Sequence, residues 1–131
     1  MRLLLDTHIA LWAISDDRRL SRRARDLISD ESADVFVSVV SLWEIAIKYA
    51  VNRKGPTAMP ISASEAKDCF IAAGYELLDV TAEHVLMVET LPPIHGDPFD
   101  RLLAAQALSE PMRLLTQDAV LGRYGDLIET V

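Results

Sequence analysis

In the stretch Ile94 to Ala107, IHGDPFDRLLAAQA, two carboxylates stand at the mouth of an otherwise apolar helix. Asp97 before Pro98 is a helix-start signal, because Asp accepts hydrogen bonds from free backbone amides and proline suits the first helical position. Asp100 falls in the first turn, and Leu102, Leu103, Ala104, Ala107 and Leu108 leave few solvated positions, so the helix is predicted to lie inside the fold. A carboxylate there calls for partners, and three other acids occupy comparable places. Asp6 follows the apolar run Arg2 to Leu5, Glu44 stands early in Ser41 to Tyr49, and Asp118 follows Met112 to Leu115. Carboxylates crowded into one cleft repel by about 4 kcal/mol per close pair at an effective dielectric of about 20, so something positive is expected among them. Oxygen ligands suit Mg²⁺ or Mn²⁺, which join protein carboxylates to substrate phosphate. The matching chemistry is phosphodiester hydrolysis, in which the ion activates water and neutralises charge on the phosphate.

The elements that would position these acids follow from the pattern. Arg2 to Leu5 reads as a buried strand and Ile9 to Ile14 as the start of a helix. Ser21 to Ser29 reads as an amphipathic helix, β-branched Val35 to Val40 as a strand, and Ser41 to Tyr49 as a helix. Asn52 to Pro60, NRKGPTAMP, is irregular and reads as a loop or flap. Ser62 to Ala73 is a capped helix stopped by Gly74, Tyr75 to Val80 a strand, and Thr81 to Thr90 a helix ended by Pro92 and Pro93. Met112 to Leu115 and Leu127 to Val131 supply the last strands. This alternation predicts an α/β fold with a mainly parallel sheet covered on both faces, whose ligand site lies beyond the carboxyl ends of the strands. Asp6, Glu44, Asp100 and Asp118 are thereby predicted to converge.

Each acid also has a structural explanation, since carboxylates near helix N-termini stabilise by about 0.3 to 1 kcal/mol. Ser41 and Glu44 have the spacing of a capping box, which would turn Glu44 back on its own helix. His8, His84 and His95 form no close pair with one another or with Cys69 at zinc-ligand spacing, so zinc is not expected. His8, two residues from Asp6, reads either as an outer hydrogen-bond donor to the cleft or as a structural residue. Trp12 and Trp43 are expected in the core, with base stacking as the other reading.

The 131 residues are 50% hydrophobic, enough for one domain spanning 1–131 with a single sizeable core. The lone Cys69 and the absence of a cleavable leader pattern or a long apolar run predict a cytoplasmic chain with no membrane partner. A formal net charge of -7 argues against holding nucleic acid by general attraction, so bound cations or a local basic patch would have to offset it. Arg18, Arg19, Arg22, Arg23 and Arg25 form the one basic patch, readable as a solvated helix face or as RNA or partner contact, and Arg53 and Lys54 add a smaller group.

Taken in order, LLLDTHIALWA, SLWEIAIK, HGDPFDRLLAAQA and LLTQDA resemble the successive signatures of PIN-domain ribonucleases, specifically the VapC-type toxins of bacterial toxin–antitoxin pairs. The resemblance runs from Arg2 to Asp118 and implies a PIN-like fold with a central five-stranded parallel sheet flanked by helices. It implies an Mg²⁺-dependent endoribonuclease that cuts single-stranded RNA, leaving 5′-phosphate and 3′-hydroxyl ends, and that a small VapB-like antitoxin neutralises. It also implies a homodimer, for which the Ser21 to Ser29 and Ser62 to Ala73 helices are candidate contact faces. Asp6, Glu44, Asp100 and Asp118 match the family's four acids, Asp97 an additional acid, and Thr116 a hydroxyl position that aids the fourth. The chain departs from the pattern at His8, where many members carry Ser or Thr, and at Leu121, where an aromatic residue is frequent. Two other readings stand beside this one: a catalytically silent module that binds a partner protein, its acids serving as helix caps, and phosphoryl transfer through Asp6. The latter lacks the second acid two residues on and a lysine placed after a strand.

Overall fold

The computed structural model describes residues 1–51, 54–56 and 58–131. Strands and helices alternate as β1 (Arg2–Leu5), α1 (Thr7–Ser15), α2 (Arg22–Ser29), β2 (Asp34–Ser38), α3 (Val39–Val51), α4 (Ala63–Ala72), β3 (Glu76–Leu78), α5 (Ala82–Thr90), α6 (Pro98–Ser109), β4 (Arg113–Thr116) and β5 (Ile128–Thr130), with a 3₁₀ turn over Leu121–Tyr124. The five strands form one sheet in the order β3-β2-β1-β4-β5, every pair parallel. This is the α/β architecture predicted from the alternation.

β1 is central because its three leucines are wholly buried and serve both faces. Leu3 and Leu5 join Ile9, Ile45 and Phe70 on one side, whereas Leu4 joins Leu103, Leu114 and Leu121 on the other, the two-residue period of a strand. The chain crosses from β1 to β2 on one flank and β4 pairs on the other, so the strand order reverses at β1. The crevice beyond the carboxyl ends of β1 and β4 is the place where such a sheet takes its ligand. Asp6 leaves β1 at that crevice and Asp118 follows β4.

Local signals explain most helix starts. Ser21 Oγ accepts the Ala24 N–H, Ser62 and Glu65 form the predicted reciprocal box at 3.1 and 3.0 Å, and Gly74 takes the left-handed conformation (φ +86°) that stops α4. At α5 the box is completed by a histidine: Thr81 Oγ1 accepts the His84 N–H while His84 Nδ1 accepts the Thr81 N–H at 3.0 Å. His84 is buried, its other ring nitrogen held by Glu110 at 2.5 Å, so it is a structural residue that lines no part of the site.

Two expectations are corrected. The strand predicted over Val35 to Val40 ends at Ser38, whose hydroxyl accepts the Val40 N–H at 3.0 Å, and α3 begins at Val39 despite the β preference of its first two residues. Ser41 consequently lies inside the helix and caps nothing, and no capping box with Glu44 exists. Trp12 is buried as expected, but Trp43 is 54% exposed, packed edge-on against Phe99 at 4.8 Å between ring centroids. Among the described residues no helix is long and apolar enough to cross a membrane.

Candidate active site

Asp6 caps α1: Oδ1 accepts the Ile9 N–H at 2.9 Å, and Oδ2 accepts the Thr116 hydroxyl at 2.5 Å. The side chain is thus fixed at both oxygens in the interior. Burial pushes its pKa above the ordinary carboxylate value, and the negative Glu44 pushes the same way, against the Thr116 and Ile9 hydrogen bonds and the charge of His8. Thr116 also accepts the Asp118 N–H at 3.0 Å, so one hydroxyl ties the first strand's acid to the turn that carries the last. It was predicted to aid the fourth acid, and its hydroxyl proton goes to the first.

Glu44 projects from the second turn of α3 with 3% of its surface exposed. Thr7 Oγ1 lies 2.6 Å from Oε1 and 2.9 Å from Ser41 Oγ, while Lys48, one turn further along α3, ion-pairs with Oε2. Thr7 has a single proton, and the carboxylate is the stronger acceptor, so Ser41 supports Thr7 and Thr7 supports Glu44.

Asp97 caps α6 as predicted, with Pro98 in the first position: Oδ1 accepts the Phe99 N–H at 2.8 Å and the Asp100 N–H at 3.2 Å. Asp100 caps nothing. His95 Nε2 lies 3.4 Å from its Oδ2. Burial first, then the neighbouring Asp97, Asp6 and Glu44, raise its pKa to about 7. Asp118 Oδ1 accepts the Val120 N–H at 2.9 Å and Oδ2 meets His95 Nε2 at 2.6 Å. Burial pushes Asp118 upward, yet the His95 and Val120 hydrogen bonds outweigh it and hold its pKa below the ordinary value.

His95 was set aside in the sequence as an unsuitable zinc ligand, and the fold places it between two acids. Its Nδ1 accepts the Asp97 N–H at 3.0 Å, which leaves the proton on Nε2 facing Asp118 and Asp100. Arg101 holds the loop that carries it, donating to the carbonyls of Pro92 (3.1 Å), Val88 (3.2 Å), Leu91 and His95 (both 3.5 Å) and to Tyr124 Oη (2.9 Å). Tyr124 Oη in turn accepts the His95 N–H at 2.9 Å.

All five acids line one cleft of about 270 Å³, together with Thr7, His8, Lys48 and Gln117. His95 Nε2, Asp100 and Asp118 lie within 4.8 Å of one another, and with the proton on Nε2 it is the two carboxylates, not the imidazole, that are left to a cation. An oxygen-rich set that includes Asp100, whose carboxylate accepts no hydrogen bond among the described residues, fits a hard divalent cation. His8 is exposed on the rim and makes no hydrogen bond to an acid among the described residues. Sequence reasoning missed Lys48, although its position four residues after Glu44 on a helix was the signal, and missed Thr7.

Of the proposed RNA contacts, Arg19 pairs with Asp17 at 2.8 Å and lines a neighbouring cavity, not the acid cleft. Arg23 is turned away, pairing with Glu129 on β5 at 2.8 Å, and Arg25 pairs with Asp16. Arg18, Arg22 and Lys54 are exposed and line no part of the cleft, and Arg53 lies outside the described residues.

The electrostatics predict how the chelated protein responds to pH. For Asp6 and Asp100, raised pKa values mean that the folded chain holds protons the unfolded chain has released, so stability declines as pH rises from about 4 to about 7. Asp118, lowered, loses its contribution only below that window. Thermal melting in chelator should therefore give a lower Tm at pH 8 than at pH 5.5, and Mg²⁺ should narrow the difference. A Tm in chelator that rises over this interval contradicts the assigned clustering.

A family model described as PIN domain matches residues 3–127. The chain is 29% identical over 127 residues to Ribonuclease VapC22 of Mycobacterium tuberculosis, covering 88% of this chain and 86% of the relative. Among solved structures, the fold is similar to VapBC2 from Rickettsia felis bound to a DNA fragment from its promoter (TM-score 0.71, 20% identity, 98% of each chain). It is also similar to a toxin-antitoxin complex from Klebsiella pneumoniae (TM-score 0.64, 14% identity, 98% of this chain and 96% of that one).

Proposed function

Because the chain belongs to the PIN-domain family, we propose that it is a metal-dependent endoribonuclease of the VapC type, cutting single-stranded RNA. The observation that carries this reading is Asp100: it caps no helix, accepts no hydrogen bond among the described residues, and faces Asp97, Asp6 and Glu44 with its pKa raised to about 7. Asp6 and Asp97 do cap helices, which is what a silent binding module would need of them, but Glu44 and Asp100 serve no such purpose. A carboxylate set of this kind is strained by mutual repulsion at neutral pH, and a cation among its members relieves it.

Asp6, Glu44, Asp100 and Asp118 would hold Mg²⁺ or Mn²⁺, with Asp97 adding negative field at the mouth of α6. When bound, the ion polarises the scissile phosphate and activates water for in-line attack. The chain's own part is positioning. Thr116 and the Ile9 N–H fix Asp6, Thr7 fixes Glu44, and His95 Nε2–H fixes Asp118, so the carboxylates are preorganised at little further conformational expense.

The solved relatives that are toxin-antitoxin complexes support a VapB-like protein as the neutralising partner, and the acidic surface of this chain suits a basic one. Self-association belongs to the same reading, with its contact better placed on α3, where Trp43, Ile47 and Val51 are exposed, than on α2, whose exposed residues are the polar Arg22, Arg23, Asp26 and Ser29.

The test is cleavage of single-stranded RNA by the purified chain in Mg²⁺, in chelator, and with Asp6→Asn. Cleavage confined to the parent in Mg²⁺ is expected, along with a Tm raised by Mg²⁺ in the parent more than in the variant. Cutting that persists unchanged in chelator or in the folded Asp6→Asn chain refutes the proposal.

A further inference from the structure

A larger cavity, about 690 Å³, opens beside the acid cleft and shares two of its walls, His8 and Lys48. Its chemistry is different. Leu11, Met59 and Ile61 make apolar walls, and its acid, Asp17, is neutralised two-pronged by Arg19 at 3.0 and 2.8 Å. The exposed Arg19 guanidinium lies over the Trp12 ring, 5.1 Å from its centroid, and the His8 imidazole stands 5.8 Å from the same ring. Lys48 is the one Lys or Arg among the described residues lining the acid cleft, and it stands where the two spaces join.

We propose that this cavity is the subsite for one unpaired nucleotide of the RNA strand, its base against His8 and Arg19 with Trp12 behind them, and its phosphate at Lys48. The inference rests on the ribonuclease reading above. A strand whose phosphate lies among the acids has to leave the cleft, and the shared wall gives it a continuous way out. In a chain of net charge -7, Lys48 at the junction offers the nucleotide's phosphate a cation, while the Arg19 guanidinium, its charge met by Asp17, offers the base a flat face. A base offers flat apolar faces that stack on aromatic rings and guanidinium planes, and only an unpaired base can present them. The subsite thus supplies a reason for single-strand preference that the acids alone do not.

The test uses the full chain carrying Asp100→Asn, so that RNA is bound and not cut, in Mg²⁺. The probe is a fluorescein-labelled pool of short random-sequence single-stranded RNAs, intact or with one base removed at a fixed position, and binding is read by anisotropy. Removal of one particular base should weaken binding about tenfold, within the range of a single stacked base. Lys48→Ala should weaken intact and abasic RNA alike. Ala58→Trp, which fills the cavity from its half-buried rim, should abolish the distinction between intact and abasic RNA while Tm is retained. An abasic series without any such position overturns the proposal, as does a folded Ala58→Trp chain that still distinguishes them. So does an Ala58→Trp chain that binds RNA normally and loses only inhibition by a small protein partner, which would assign the cavity to that partner. Cleavage by the unsubstituted chain is scored separately: its absence refutes the ribonuclease reading, whereas cleavage with a flat abasic series refutes the subsite alone.

Discussion

Asp100→Asn is expected to abolish RNA cleavage and, in chelator at pH 8, to raise the melting temperature. The two effects have one origin. Asp100 is ionised at pH 8 against burial and against Asp97, Asp6 and Glu44, with His95 at 3.4 Å relieving it in part. Asn keeps the shape and removes the charge, so the folded chain loses a repulsion that the unfolded chain never had. Even roughly 1 kcal/mol of relief would move Tm by about 3 to 6 °C in a chain of this size. The same charge is what a divalent cation and the reaction require, so activity should fall more than roughly a hundredfold, the loss reached even when outer partners of a metal site are removed. Below pH 6 the stabilisation should fade, because Asp100 is then largely protonated in the parent and the two chains carry the same local charge. The assays are cleavage rate and melting at pH 5.5 and 8, each with chelator and with Mg²⁺. A variant that is inactive but destabilised at pH 8 would mean that Asp100 is a structural partner and not a member of a repulsive cluster.

The acids were legible in the sequence because each stands at a punctuation mark of the chain. Asp6 ends an apolar run, Asp118 follows another, and Asp97 announces a helix with Pro98 behind it. Parallel topology then brings strand ends to one edge whatever the details of packing. What was not legible depended on where one helix begins. Ser41-Leu42-Trp43-Glu44 satisfies the capping pattern, yet Ser38 takes the turn and α3 starts two residues before Ser41. With that start, Ser41 moves into the interior beside Thr7, Trp43 comes out to the surface against Phe99, and Glu44 and Lys48 stack toward the cleft.

His95 was illegible for another reason. Its role comes from a loop whose shape is set by Arg101 and Tyr124, residues six and twenty-nine positions further on. No local spacing encodes that. The arginines in and just before α2 illustrate the converse, since a run of like charge looks like one surface in sequence while the fold sends Arg23 to Glu129, Arg25 to Asp16 and Arg19 to Asp17.

Glu44→Gln separates charge from geometry at the most enclosed of these acids. Gln has the length of Glu and keeps one carbonyl oxygen to accept the Thr7 hydroxyl, so the Ser41, Thr7 and residue-44 chain of hydrogen bonds can persist inside the fold. What it cannot keep is the ion pair with Lys48, a half-exposed ammonium for which water substitutes at little cost. Stability should therefore change by no more than about 1 kcal/mol. Activity should nevertheless collapse, and the rise in Tm on adding Mg²⁺ should shrink, because a hard cation needs the carboxylate charge and not only an oxygen. Thr7→Val makes the complementary change, preserving the charge and removing the hydroxyl that orients it, and should cost cleavage about 10- to 100-fold as other outer partners of metal ligands do. Ser41→Ala leaves Thr7 its acceptor on Glu44 and removes a support, so it should be the mildest of the three in cleavage. If Glu44→Gln cuts RNA at the parent rate with an unchanged Mg²⁺-dependent melting shift, Glu44 is no ligand and its contact with Thr7 serves packing alone.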